Sequence, residues 1–125
     1  MKHHDQVVLV TGAGQGMGQE MIRYFAQAGA LVAALDINAE AVNETISLLP
    51  NEKAIGLTAN IADSASVKEA IDNVVAKFGR LDVIVNCAGV GSFDTFLETP
   101  DEHWDKVISV NLNGTFYCCR EAAKV

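Results

Sequence analysis

The feature that most constrains the fold is a run of glycines at every second position, Gly12, Gly14, Gly16 and Gly18. The apolar run Q-V-V-L-V-T precedes it, and the helix-forming run E-M-I-R-Y-F-A-Q-A follows at once. A continuous apolar run of this length is typical of a strand buried on both faces. Glycine between such a strand and a helix permits a tight turn with positive φ values. The sequence therefore predicts a strand, a bare turn and a helix that returns over the strand.

The same alternation continues along the chain. Three more strands are predicted in A-L-V-A-A-L-D, K-A-I-G-L-T-A and L-D-V-I-V-N, with helical patterns between and after them. Strands that alternate with helices indicate right-handed crossovers and a parallel sheet. We therefore predict one α/β domain over residues 1–125, a Rossmann-type doubly wound parallel sheet with strand order 3-2-1-4. Ligands of such sheets bind at the switch point between strands 1 and 4, beyond the carboxyl ends of the strands.

Polar residues before the helical patterns predict where the helices begin. Asn38 is expected to cap the second helix, and Ser66 to open a capping box, with Asp63 or Ser64 as alternatives. Thr99 is expected to open a second capping box, with the following proline at the first helical position. The buried helix faces are expected to include Met17, Met21 and Ile22 in the first helix, and Trp104, Val107 and Ile108 near the end of the chain.

The glycine turn is consistent with a chemical role as well as with a structural one. A diphosphate can approach main-chain N–H groups only where side chains are absent, and a helix N-terminus favours anions. The usual dinucleotide fingerprint G-x-G-x-x-G is not present, because Met17 stands where its third glycine would be. A G-x-G-x-G string also occurs in S-adenosylmethionine methyltransferases. The glycines alone therefore leave two classes open.

Asp36 ends the second predicted strand, close to the position where dinucleotide-binding folds place an acid for the ribose. Its charge would repel a 2′-phosphate, and neither Gln15 nor Ile37 supplies the cation that such a phosphate requires. The pattern favours NAD, with NADP less favoured. The alternative is that Asp36 only helps to cap the next helix.

Two further strand ends lie on the same rim. Asn60 and Ile61 follow strand 3, where they could contact an adenine or could equally be a loop residue and a core residue. N-C-A-G-V-G, which begins at Asn86, follows strand 4 with small residues against which a cofactor could lie. A second strand-end glycine cluster opposite the first suits an extended dinucleotide.

Composition excludes several function classes. The net charge of −7 disfavours nucleic acid and anionic membranes, and no apolar run approaches the length of a membrane span. No Cys-x-x-Cys spacing occurs, and no metal site is expected; His3 and His4 are interpreted as a solvated terminus. Three cysteines give no disulfide framework, so we expect reduced thiols and a cytoplasmic protein without a signal peptide.

Five motifs in order carry a resemblance: the glycine run from Thr11, then Asp36, Asn60-Ile61, Asn86-Cys-Ala-Gly89 and Asn111-Leu-Asn-Gly114. Together with F-G-R-L-D-V-I-V-N-C-A-G and W-D-K-V-I-S-V-N-L-N-G-T-F they resemble the main, 3-oxoacyl reductase-like branch of the short-chain dehydrogenase/reductase superfamily. The resemblance implies hydride transfer between a nicotinamide cofactor and a small-molecule alcohol or ketone, by a homo-oligomer, either a dimer or a tetramer.

The resemblance also implies a role for each matching residue. The diphosphate would be contacted by Gly12, Gln15, Gly16, Met17 and Gly18. The ribose would be contacted by Asp36 and the adjacent Ile37, and the adenine by Asn60 and Ile61. The middle of the cofactor would be contacted by Asn86, Ala88 and Gly89, and the nicotinamide ribose by Val110. Asn111 matches the catalytic Asn of the family, which helps to position a water and a lysine in a proton relay.

Two departures from the family pattern matter. Cys87 stands where the family usually has a second Asn. The family has a catalytic Tyr, a Lys four residues after it and a Ser before both. This sequence has no such set, because the residue four positions after Tyr117 is Glu121. We therefore interpret the chain as the cofactor-binding half of such an enzyme, truncated after the fourth strand and its helices and not competent alone. A non-catalytic NAD(H)-binding module is the alternative.

Overall fold

Four strands form one parallel sheet in the order β3-β2-β1-β4, which confirms the predicted topology. A computed structural model describes all residues 1–125. The strands are β1 (Val7–Thr11), β2 (Leu31–Asp36), β3 (Ala54–Thr58) and β4 (Val83–Val85). In register, Val8 of β1 lies between Val32 of β2 and Val83 of β4. The order places the switch point between β1 and β4, as predicted.

Helices cover both faces of the sheet. They are α1 (Gly16–Gln27), α2 (Ala39–Ile46), α3 (Ser64–Phe78), α4 (Asp101–Val107) and α5 (Thr115–Ala123), with a π-helical segment at Ile108–Gly114 and short 3₁₀ turns at Asn51–Lys53 and Phe96–Glu98. Alternate β1 residues separate the two cores: Leu9 packs with α3 and α5, and Val10 with α1 and α2. No helix has both the length and the apolar character needed to cross a bilayer.

The helix starts agree with the sequence in part. Asn38 caps α2 as predicted, and its Oδ1 accepts a hydrogen bond from Ala41 N at 3.1 Å. Asp63, one of the alternatives, caps α3, whereas the Ser66 capping box is wrong because its hydroxyl accepts from Asn60 N. The predicted capping box at Thr99 is also wrong. Its hydroxyl donates to the Thr95 carbonyl instead, and α4 begins without a side-chain cap.

Three predicted packing faces differ from the structure. Met17 is 72% exposed and Trp104 is 61% exposed, so neither belongs to a buried helix face. Trp104 projects where no other element of the chain lies over α4. The fourth strand is also shorter than predicted and only half-buried, because β4 pairs with β1 alone.

Asp82, just before β4, fixes the start of the neighbouring strand. Its Oδ2 accepts from Val7 N at 2.8 Å, and its Oδ1 accepts from the Arg80 guanidinium. The bonds from Arg80 and from Val7 N hold the pKa of Asp82 below its ordinary value. The carboxylate therefore aligns β4 with β1, which brings the carboxyl ends of both strands to one rim.

Candidate functional site

A cleft of about 570 Å³ opens beyond the carboxyl ends of the strands, at the switch point. Its lining is Gly12, Gln15, Leu35, Asp36, Ile37, Ala59, Asn60, Ile61, Ala62, Ala88, Gly89, Val90, Lys106, Ser109 and Val110. Nine predicted site residues are in that set: Gly12, Gln15, Asp36, Ile37, Asn60, Ile61, Ala88, Gly89 and Val110. Residues that follow all four strands therefore meet in one crevice.

The neighbouring backbone leaves no room for a side chain at Gly12 or at Gly18. Gly12 has a φ of +64°, and a Cβ added there would lie 2.8 Å from the Cα of Ala88. A Cβ added at Gly18 would lie 2.1 Å from the Gly12 carbonyl oxygen. The turn is thus pressed against the residues after β4 on one side and against α1 on the other. Bare backbone here is a requirement of the fold as well as an opening for a ligand.

The first turn of α1 presents main-chain N–H groups beside this cleft. Gln15 precedes the helix in an extended conformation, and its side chain makes no capping bond. The bond from Gln19 N to Gln15 O, at 3.3 Å, closes the first helical turn, so the N–H groups of Gly16, Met17 and Gly18 have no partner within the helix. No acidic residue occupies this turn. The arrangement fits an anionic group such as a diphosphate.

Asp36 connects the end of β2 to the glycine turn. Its Oδ2 accepts from Gly14 N at 3.0 Å, and its Oδ1 accepts from Asn38 N at 3.1 Å. A carboxylate has about four acceptor positions, so two bonds leave capacity for hydroxyl donors from the cleft. Asn38, and not Asp36, supplies the side-chain cap of α2. The contacts therefore do not support the alternative that Asp36 only caps that helix.

Asn60 and Ile61 have structural contacts as well as a position on the cleft wall. The Asn60 Oδ1 accepts from Ala62 N at 3.0 Å, which closes a local turn. Ile61 is only 6% exposed, and a Cβ at Gly114 would lie 2.7 Å from its Cδ1. Only an edge of Ile61 therefore reaches the cleft. Ile61 is therefore a core residue that also lines the cleft, and its contact with an adenine stays a prediction.

Five predicted site residues are outside the lining of the cleft: Gly16, Met17, Gly18, Asn86 and Asn111. The three α1 residues directly follow Gln15, which does line the cleft. The Nδ2 of Asn86 donates to the Cys119 thiol at 3.3 Å.

Asn111 lies in the π-helical segment and binds both backbone groups of Val90. Its Oδ1 accepts from Val90 N and its Nδ2 donates to Val90 O, each at 2.8 Å. The side chain therefore holds the segment after β4 against the last helical region. π-helical turns frequently occur at functional sites, but both ends of this amide are used for positioning.

Thr11 at the end of β1 fixes the opposite side of the crevice. Its hydroxyl oxygen accepts from both Cys87 N and Ala88 N, at 3.1 Å each, and the residue is buried. These bonds set the spacing between the glycine turn and the residues after β4.

We expect Thr11→Val to lower the free energy of unfolding by about 1–2 kcal/mol, because two N–H donors lose their only protein acceptor. Urea unfolding measures this change. Thr11→Ser is the matched control, since it keeps the hydroxyl, and it should retain most of the stability. Equal losses in the two variants would show that the methyl group contributes as much as the two bonds, and would contradict the prediction.

Sequence reasoning missed Lys106 and Ser109, which form the cleft wall with Val110. The signal that could have indicated them is helical spacing, because residues three and four positions after Lys106 share its helix face.

Lys106 also lines a second cavity of about 600 Å³ with Ser92, Asp94 and His103. There the Ser92 hydroxyl and the His103 ring, the latter at 2.5 Å, hold the pKa of Asp94 below its ordinary value.

The cysteines and the acidic residues form no metal centre. No group of three His, Cys, Asp or Glu side chains could hold a metal ion. Cys87, Cys118 and Cys119 are free thiols, and burial raises the pKa of Cys118 to about 11. The polar groups of the site are main-chain N–H groups, the Asp36 carboxylate, side-chain amides, the Ser109 hydroxyl and the Lys106 ammonium.

A doubly wound parallel sheet with a bare glycine turn at its switch point defines a Rossmann-type α/β domain. Within that class, the chain belongs to the short chain dehydrogenase family, whose sequence pattern matches residues 6–125. This membership decides against the methyltransferase alternative and confirms the resemblance to short-chain dehydrogenases.

Characterised relatives are oxidoreductases. The D-threitol dehydrogenase of Mycolicibacterium smegmatis is 39% identical over 121 residues, which are 95% of this chain and 46% of that protein. The meso-2,3-butanediol dehydrogenase of Serratia marcescens is 34% identical, over 98% of this chain and 49% of that protein. The 3-ketoacyl-(acyl-carrier-protein) reductase of Brucella melitensis, solved with NADH, superposes with a TM-score of 0.91 at 30% identity over 94% of this chain and 48% of that one. The chain thus spans about half the length of the relatives it matches.

Proposed function

We propose that the cleft binds NAD(H) and that the chain is the cofactor-binding half of an NAD-dependent oxidoreductase. When bound, the cofactor would accept or donate a hydride, and the substrate would be a small alcohol or carbonyl compound. The observation that carries the proposal is the bare glycine turn with the Asp36 carboxylate bonded to Gly14 N beside it. Main-chain donors suit a diphosphate and a carboxylate suits ribose hydroxyls, so both parts of an adenosine diphosphate have a partner.

Each matching residue has a proposed role. Gly12, Gln15, Gly16, Met17 and Gly18 would hold the diphosphate; Asp36 and Ile37 the ribose; Asn60 and Ile61 the adenine; Asn86, Ala88 and Gly89 the middle of the cofactor; and Val110 the nicotinamide ribose. Asn111 would be the catalytic Asn. Its contacts with Val90 favour a positioning contribution by the side chain, through the segment after β4.

NAD is proposed over NADP because of the charges around Asp36. The residues next to the adenosine end of the glycine turn, Gln15 and Ile37, carry no charge, and no arginine lines the cleft. A 2′-phosphate placed there would face the Asp36 carboxylate without a compensating cation.

The proposal that chemistry needs a further segment rests on Tyr117. Its ring packs partly buried against the core and against Arg120, and Glu121 bonds Arg120 and Lys124. Tyr117 therefore has neither a lysine four residues on nor a place on the cleft wall. We propose that the catalytic Ser, Tyr and Lys of the complete enzyme belong to sequence outside these 125 residues. The length of the relatives, about twice that of this chain, supports this.

A homo-oligomer and a cytoplasmic location complete the proposal. Trp104, Leu112 and Phe116 are exposed along the last helical region, which gives an oligomer an apolar surface to use. Free cysteines suit a reducing compartment.

Binding of NADH and NADPH to the 125-residue chain tests the proposal. Titration followed by NADH fluorescence should show saturable binding, with NADH at least tenfold tighter than NADPH. Mixing the chain with NAD and a panel of alcohols should give no hydride transfer. Absence of NADH binding would overturn the proposed function, and turnover by the chain alone would overturn the half-enzyme interpretation. A longer protein that contains this sequence but fails to turn over would favour the non-catalytic binding module.

A further inference from the structure

Lys106 is the one basic side chain on the wall of the cleft, and it stands where the cleft meets the second cavity. It belongs to α4 and lines the same cleft as Gly12 and Gln15 of the glycine turn, together with Val90 and Ser109. Asp36 is the only other charged residue in the lining. The electrostatic character of the cleft therefore depends on one cation and one anion.

The ammonium group of Lys106 has no partner within the protein. Six of the nine Lys and Arg residues form hydrogen bonds or ion pairs: Arg23, Lys68, Lys77, Arg80, Arg120 and Lys124. The side chains of Lys2, Lys53 and Lys106 form none. Glu102 precedes Lys106 by one helical turn, which is the usual spacing of an ion pair, yet no ion pair within 4.0 Å joins them. Lys106 therefore takes part in no ion pair or side-chain hydrogen bond.

Lys106 is a cation on the cleft wall of a chain whose net charge is −7. A dinucleotide carries two negative charges on its diphosphate, and the overall field of the protein repels it. We propose, on the basis of the proposed function, that Lys106 determines the affinity of the cleft for the anionic part of the cofactor. Its ammonium attracts the diphosphate across the cleft, while the main-chain N–H groups of the glycine turn hold it from the other side.

This role has a specific electrostatic signature. Attraction between charges separated by several ångströms of solvated cleft weakens as salt shortens the screening length from about 10 Å at 0.1 M to about 3 Å at 1 M. Adenosine has no charge, so Lys106 should not influence its binding. A direct contact between Lys106 and the adenine would instead affect adenosine and NADH alike.

The experiment compares Lys106→Gln with Lys53→Gln in the full 125-residue chain. Lys53 is also unpaired, and it lines a separate depression with Ala30 and Leu49, so both variants change the net charge equally. We expect Lys106→Gln to weaken NADH binding by roughly threefold to tenfold at low salt, and Lys106→Glu to weaken it further. Lys53→Gln should leave the dissociation constant within twofold of wild type. The difference should largely disappear in 1 M NaCl, and adenosine binding should not change.

Three results would overturn the inference: no change in Lys106→Gln, an equal loss in Lys53→Gln, or an equal loss of adenosine binding. The first shows that Lys106 has no influence, the second that only net charge matters, and the third that the contact is to the base. Each of these requires that the wild-type chain binds NADH, so it leaves the proposed function intact. A wild-type chain that does not bind NADH contradicts the proposed function itself. Thermal unfolding of each variant confirms that it remains folded.

Discussion

Gly18→Ala is expected to lower the free energy of unfolding by about 3 kcal/mol and to abolish NADH binding. A Cβ at this position would lie 2.1 Å from the carbonyl oxygen of Gly12 and 2.7 Å from its carbonyl carbon. Both are backbone atoms of the turn, which cannot rotate away as a flexible side chain could. Relief requires α1 to separate from the turn, and overpacking of that kind costs about 1–3 kcal/mol or more. The same movement displaces the N–H groups proposed to bind the diphosphate.

Gly16→Ala is the matched control in the same turn. Gly16 has a φ of +54°, but no atom lies within 4 Å of an added Cβ. The substitution should cost only the left-handed backbone penalty, about 1–2 kcal/mol. Urea unfolding and NADH titration of both variants make the comparison. If Gly18→Ala were no more destabilising than Gly16→Ala, the close approach of α1 to the turn would not be the reason for glycine at position 18.

The sheet could be predicted because its determinants are local. Each strand is a short apolar run that ends at a polar or glycine position, as at Thr11, Asp36 and Asn86. Alternation with helices restricts the topology to parallel strands with right-handed crossovers. The order 3-2-1-4, which is expected for a Rossmann-type sheet, is the order observed. The position of the cleft is predictable for the same reason, since the carboxyl ends of parallel strands share one edge.

The parts that sequence reasoning missed depend on contacts distant in sequence. Trp104 has the spacing of a buried helical residue, but no element lies over it. Thr99 has a capping pattern, yet its hydroxyl is used by the preceding 3₁₀ turn. Lys106 belongs to no motif, and helical spacing alone could not place it on the cleft wall, because that place depends on how α4 lies against the segment after β4. The Asn111 bonds to Val90, which join the π-helical segment to the residues after β4, also could not be predicted from the sequence.

Asp36 has one structural function and one proposed function, which a substitution can separate. It supports the turn through Gly14 N and the following loop through Asn38 N. We also propose that it accepts bonds from the adenosine ribose and repels a 2′-phosphate. Loss of the structural bonds should weaken every dinucleotide equally. Loss of the ribose bonds and the repulsion should weaken NADH and favour NADPH.

Asp36→Ala is therefore expected to weaken NADH binding by about 10- to 100-fold, because hydrogen bonds to a charged group contribute about 1.5–3 kcal/mol. NADPH binding should stay the same or improve, since the like-charge repulsion is removed. Parallel titrations with the two cofactors give the change in selectivity directly. Urea unfolding reports the separate structural effect, which should be about 1–2 kcal/mol because the Gly14 N–H loses its acceptor.

Ile37→Arg is the complementary variant, because Ile37 lines the cleft next to Asp36 and its side chain is 69% exposed. The new cation should strengthen NADPH binding while the Asp36 carboxylate keeps its bonds to the turn. The double variant Asp36→Ala with Ile37→Arg should prefer NADPH over NADH. If Asp36→Ala weakened both cofactors by the same factor, Asp36 would act only through the turn. The preference for NAD would then have to come from elsewhere in the cleft, and the selectivity argument based on this carboxylate would be wrong.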